Sequence, residues 1–156
     1  MKPIRKILLP TDFSQSAEVA LEMAIHIARA FEAEIILLHV IEPPSASLQS
    51  VKNPELLLAG YREAVKANAS QKMTKLLELI RERGDFRTQT IFSDGRAFVE
   101  IIRAAKQHEI DMIVMGTHGQ NSINFLLIGN TAERVVRKAP CPVLTVRHPS
   151  FKFEMA

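Results

Sequence analysis

The chain has 156 residues, 47% hydrophobic and 24% charged, with a formal net charge of +3. That length fits one domain with a substantial core. The basic residues are scattered (Arg29, Arg62, Lys72, Arg81, Arg103, Lys106, Arg137), which argues against a nucleic-acid or anionic-membrane surface, and the lone Cys141 excludes an internal disulfide.

The opening Met1-Lys2-Pro3-Ile4-Arg5-Lys6 reads as the lead into a strand and not as a signal peptide. The apolar runs are too short to span a bilayer. A cytoplasmic location is the expectation. Residues 4–10 read as a short buried strand. Ala17, Ala20, Leu21, Ala24, Ala28 and Phe31 then recur at helical spacing, with Ser14 or Ser16 as the cap. Residues 35–41 form a near-continuous apolar run, as in a strand covered on both faces. Pro43 and Pro44 break it. Asn53-Pro54-Glu55 has the chemistry of a helix start. Met73, Leu76, Leu77 and Ile80 carry that helix's apolar face, and Gly84 is placed to end it.

Residues 86–92 alternate polar and apolar and predict a more exposed edge strand, closed by a turn at Asp94-Gly95. Phe98, Ile101, Ile102 and Ala105 mark a third helix, and residues 110–115 another buried strand. Residues 121–128 mix polar side chains with Ile123, Phe125, Leu126, Leu127 and Ile128, which suits either a lid over a ligand or a partial helix packed on the sheet. Residues 131–138 predict the last helix and 143–146 the last strand. The alternation β-α-β-α-β-α-β-α-β predicts a parallel sheet with helices on both faces, joined by right-handed crossovers. Residues 1–148 are expected to form this domain and 149–156 a tail carrying Phe151 and Phe153.

One motif points to chemistry. Gly116 and Gly119 follow the fourth strand, and Gly129-Asn130-Thr131 opens the last helix. Glycine admits close backbone approach, and a helix start offers unpaired N–H groups, so strand, glycine loop and helix together make a plausible phosphate cradle. No Gly-Lys-Ser/Thr closes the loop and the glycine spacing is not the dinucleotide fingerprint, so neither of those motifs is read.

The glycine spacing resembles the ATP-binding signature of the universal stress protein family. Lys6-Ile7-Leu8-Leu9-Pro10-Thr11-Asp12-Phe13-Ser14 is similar to that family's first strand and turn, Leu38-His39-Val40-Ile41 to the end of its second strand, and residues 139–146 to its last strand. The resemblance implies a single five-stranded parallel sheet of order 3-2-1-4-5, Rossmann-like and of the adenine nucleotide alpha-hydrolase type. With that order, the crevice where the strand order reverses lies between strands one and four, beside Asp12 and Gly116. The resemblance further implies ATP with Mg²⁺ as ligand. Pro10, Thr11 and Asp12 would form one corner, with Asp12 near the ribose hydroxyls or the cation. Val40 would meet the adenine edge by its backbone. Met115, Gly116, His118, Gly119, Gly129, Asn130 and Thr131 would complete the site. The family's nucleotide-binding members carry Ser or Thr directly after the third glycine, where this chain has Asn130.

Each residue also has a plainer reading: turn glycines, a turn aspartate bonding its own backbone, Asn130 as a helix cap, His118 as an ordinary loop side chain. The histidines have no metal-ligand spacing, and no catalytic base or nucleophile is assigned. The apolar last strand at a sheet edge predicts a homodimer, as the resemblance also implies. A regulatory stress-response protein binding an adenine nucleotide is the leading expectation. A dimeric interaction module without nucleotide, or a slow ATPase, are the alternatives.

Overall fold

A computed structural model describes residues 2–44, 54–118 and 129–149. The elements are β1 Lys6–Pro10, α1 Gln15–Phe31, β2 Glu34–Ile41, α2 Pro54–Arg83, β3 Thr88–Asp94, α3 Ala97–Gln107, β4 Met112–Gly116, α4 Asn130–Lys138 and β5 Val143–Val146. The strands form one parallel sheet of order β3-β2-β1-β4-β5. The fold class is the one that the alternation of elements predicts, and the strand order is the one that the family resemblance implies.

Side chains on a strand alternate faces, and here both faces are apolar. Ile7, Leu9, Ile35, Leu37 and Val114 pack with Ala20, Leu21, Ala24, Ile25 and Ala28 of α1 and with Met73 and Ile80 of α2. Their neighbours Leu8, Ile36, Leu38, Ile113 and Met115 face the other way, onto Ile101, Ala104 and Ala105 of α3 and Ala132 and Val135 of α4. The edge strand β3 is less buried, as its alternating sequence requires.

Several boundaries differ from the sequence reading. Asp94 is the last residue of β3, paired in register with Ile41, and the turn begins at Gly95, whose φ of 143° suits glycine. Phe86 lies before β3 and packs on the α1–α2 side of the core. Asn53, the expected cap of α2, lies outside the described residues, as do Gly119, the segment 121–128 and the aromatic tail.

Opposite the crevice, Asp111 ties the sheet together. Its Oδ2 accepts hydrogen bonds from the N–H groups of Arg5 (2.9 Å) and Lys6 (3.0 Å), and Oδ1 pairs with the Lys2 ammonium at 2.9 Å. Burial works against the charge, but Lys2 and the two N–H donors outweigh it and hold the carboxyl below the usual aspartate range.

Candidate functional site

Two loops that leave the C-terminal ends of β1 and β4 meet where the strand order reverses. At the β1 end, Thr11 donates its N–H to Leu38 O at 2.8 Å. Thr11 Oγ1 accepts from the Phe13 N–H (3.1 Å) and Asp12 Oδ1 from the Ser14 N–H (3.0 Å). Ser14 Oγ then caps α1 by accepting from the Ala17 N–H. Of the two serines offered by the sequence, Ser14 is the cap. Asp12 is thus a turn residue bonding its own backbone, and it also lines the crevice.

At the β4 end, Gly116 is glycine for a packing reason. A Cβ there would lie 2.8 Å from Ser16 Cβ and 2.9 Å from the Ser16 carbonyl carbon and oxygen, so any side chain would push α1 off β4. Thr117, only 2% exposed, follows. Its N–H reaches Val146 O (3.0 Å), its carbonyl accepts from the Gly129 N–H (2.7 Å), and its Oγ1 lies 2.8 Å from His118 Nδ1.

These bonds correct two expectations. The Gly129 N–H is already engaged by Thr117, so it is not available to a phosphate. Asn130 is not the cap of α4: Gly129 holds that position with no side chain, and Asn130 is the first helical residue. The donors of the first turn are therefore the N–H groups of Asn130, Thr131 and Ala132, which have no carbonyl one turn back within the helix.

A cavity of about 430 Å³ lies between these loops. Of the residues singled out from the sequence, Pro10, Thr11, Asp12, Val40, Met115, Gly116, His118, Gly129, Asn130 and Thr131 line it, and Gly119 lies outside the described residues. Its apolar wall is Leu38, Val40, Ile101, Met115 and Ala132. Sequence reasoning missed Thr117, His39 and the pair Glu42–Ala97. Glu42 Oε1 accepts from the Ala97 N–H at 2.9 Å and so caps α3 from the end of β2. Two helix N-termini thus face one cavity: α3, answered by a carboxylate of the protein itself, and α4, whose cap is a glycine. No Lys or Arg is among the described lining residues, while Asp12 and Glu42 are acidic. The positive end of the cavity is therefore backbone, the first turn of α4.

The universal stress protein family profile matches residues 3–147. The chain belongs to the universal stress protein family. Universal stress protein MJ0531 of Methanocaldococcus jannaschii is 34% identical over 146 residues, covering 93% of this chain and 83% of that protein. The solved structure of MJ0577, from the same organism, superposes with a TM-score of 0.83 at 31% identity, covering 98% of this chain and 100% of that one. A universal stress protein solved in complex with cAMP shares the fold at a TM-score of 0.71 and 19% identity, covering 94% of this chain and 99% of that chain. No described helix here is long and apolar enough to cross a membrane.

Proposed function

We propose that this universal stress protein binds an adenine nucleotide, ATP with Mg²⁺, in the β1–β4 crevice, and acts by binding rather than by turnover. The observation that carries this reading is the first turn of α4, which opens onto a cavity that is also lined by the apolar side chains of Leu38, Val40, Ile101 and Met115. A phosphate end suits the three N–H groups, and a flat base suits Leu38, Val40, Ile101 and Met115. Glu42 already occupies the α3 N-terminus, so an anion is directed to α4. The cAMP complex of a protein with this fold is consistent with an adenine ligand.

Mg²⁺ fits the donor set. The described lining residues carry two carboxylates and no cation, so a triphosphate there requires a counter-charge that side chains do not supply. Asp12 would hold the ion with phosphate oxygens and water, since Mg²⁺ commonly takes only one or two protein carboxylates. Asn130 keeps the backbone N–H that the cradle uses and brings a carboxamide, a bulkier donor group, where a hydroxyl would stand, so the helix end is intact. With no Lys or Arg among the described lining residues, fast phosphoryl transfer has no charge-stabilising cationic side chain among them. The protein is read as a cytoplasmic homodimer joined through β5, whose outer edge carries no further strand among the described residues.

A thermal-shift titration of nucleotide-stripped protein tests the reading. At a hundredfold excess of ATP over Kd, linkage gives about 2.7 kcal/mol, a rise of roughly 5–10 °C for a domain of this size. No rise at millimolar Mg·ATP would leave the dimeric interaction module as the better account.

A further inference from the structure

The Asp12 corner is held in an unfavourable backbone conformation, and one side chain touches it in two ways. Phe13 has φ 62°, in the left-handed region that non-glycine residues seldom enter. The His39 ring lies against the Phe13 ring, centroids 4.6 Å apart and tilted by 35°, and meets Phe92 edge-on at 6.3 Å. His39 Nδ1 is also 2.8 Å from Thr11 O. A carbonyl only accepts, so Nδ1 must carry the proton. From α2, Lys72 lies 5.4 Å from the centre of the Phe13 ring and closes over the same stack.

His39 therefore fixes both residues that flank Asp12: Thr11 by a hydrogen bond and Phe13 by ring packing. Strained backbone of this kind persists where its surroundings over-determine it, and it clusters at ligand sites. We infer that His39 is the positioning residue of the nucleotide site: without touching phosphate, it holds the Thr11–Asp12–Phe13 turn so that the Asp12 carboxylate keeps its orientation towards the cavity. This deepens, and rests on, the nucleotide reading above.

The sequence of contacts makes the inference specific. If His39 acts through Asp12, its removal matters only while Asp12 has a carboxylate to orient. The test is a double-mutant cycle in Mg·ATP affinity, measured by isothermal titration with wild type, His39→Phe, Asp12→Asn and the double variant, each checked by thermal melting. His39→Phe keeps an aromatic ring against Phe13 but cannot donate to Thr11. It is expected to weaken Mg·ATP about tenfold, and the double variant is expected to bind no more weakly than Asp12→Asn alone. His39→Asn places an amide nitrogen at the same bond distance from Cα as Nδ1 but has no ring to pack on Phe13, and is expected to recover only the part of the affinity that the Thr11 hydrogen bond carries. Should His39→Phe not fold, His39→Leu replaces it in the cycle.

Additive losses in the double variant would overturn the inference, because a merely structural histidine would weaken binding independently of Asp12. So would an Asp12→Asn variant with unchanged affinity. Wild-type protein that binds no nucleotide at all would overturn both this inference and the nucleotide reading. Wild-type binding with an additive cycle would overturn this one alone.

Discussion

Asn130→Asp should move stability and ligand affinity in opposite directions. Asn130 is exposed at the first position of α4, after a glycine cap that offers no side-chain acceptor. The acid already in that turn, Glu133, is paired with Arg137 at 3.4 Å. A carboxylate at position 130 is nearly isosteric and faces the positive end of the helix dipole, worth about 0.5 kcal/mol at an exposed site. For a domain of this size that is a rise in Tm of roughly 1–2 °C. The same charge would stand about 5 Å from a phosphate bound at the first turn. At an effective dielectric constant of about 40, the repulsion is about 1.5 kcal/mol, close to a tenfold loss of affinity. Differential scanning fluorimetry without ligand and isothermal titration with Mg·ATP give the two numbers. A variant that is more stable yet binds Mg·ATP as tightly as wild type would refute the assignment of the phosphates to α4. Raising the ionic strength should shrink both effects, since the site is open to solvent.

Gly116→Ala should destabilise the protein by about 1–3 kcal/mol in urea unfolding, because its Cβ would meet Ser16 at 2.8 Å and α1 must shift to admit it; an unchanged midpoint would mean that α1 yields freely. Glu42→Ala should cost about 1 kcal/mol by uncapping α3 without lowering affinity for ATP, since it removes a negative charge from the cavity; weaker ATP binding would place Glu42 among the ligand's partners. Asp111 has a depressed folded-state pKa, so its stabilising effect is present above the unfolded pKa and is lost as pH falls through the folded one. The stability gap between wild type and Asp111→Asn should accordingly be full at neutral pH and close progressively below about pH 4 in chemical denaturation; a gap that is constant with pH would mean that the charge of Asp111 contributes nothing.

The sequence by itself determined the architecture. Residues 35–41 are apolar but for His39 and do not alternate, as expected of a strand covered on both faces, and the runs at 4–10, 35–41 and 110–115 are each followed along the chain by residues at helical spacing. That alternation leaves a parallel sheet as the economical arrangement. The sequence also placed Asp12, Gly116 and Gly129-Asn130-Thr131 at strand and helix ends, where a parallel sheet puts its ligands. Only the tertiary structure decided what each of them does. Gly116 reads in sequence as room for a ligand, but Ser16 of α1 fills that room, a contact between residues a hundred positions apart in the chain. Gly129 reads as a phosphate donor, but its N–H belongs to Thr117 O. Glu42 and His39 carry no local signal, because their partners Ala97 and Thr11 arrive from other segments. Local pattern fixes which elements form, since propensity and periodicity act within a few residues. The use of each N–H and carboxylate depends on which distant chain segment packs beside it, and only the folded sheet brings those segments together.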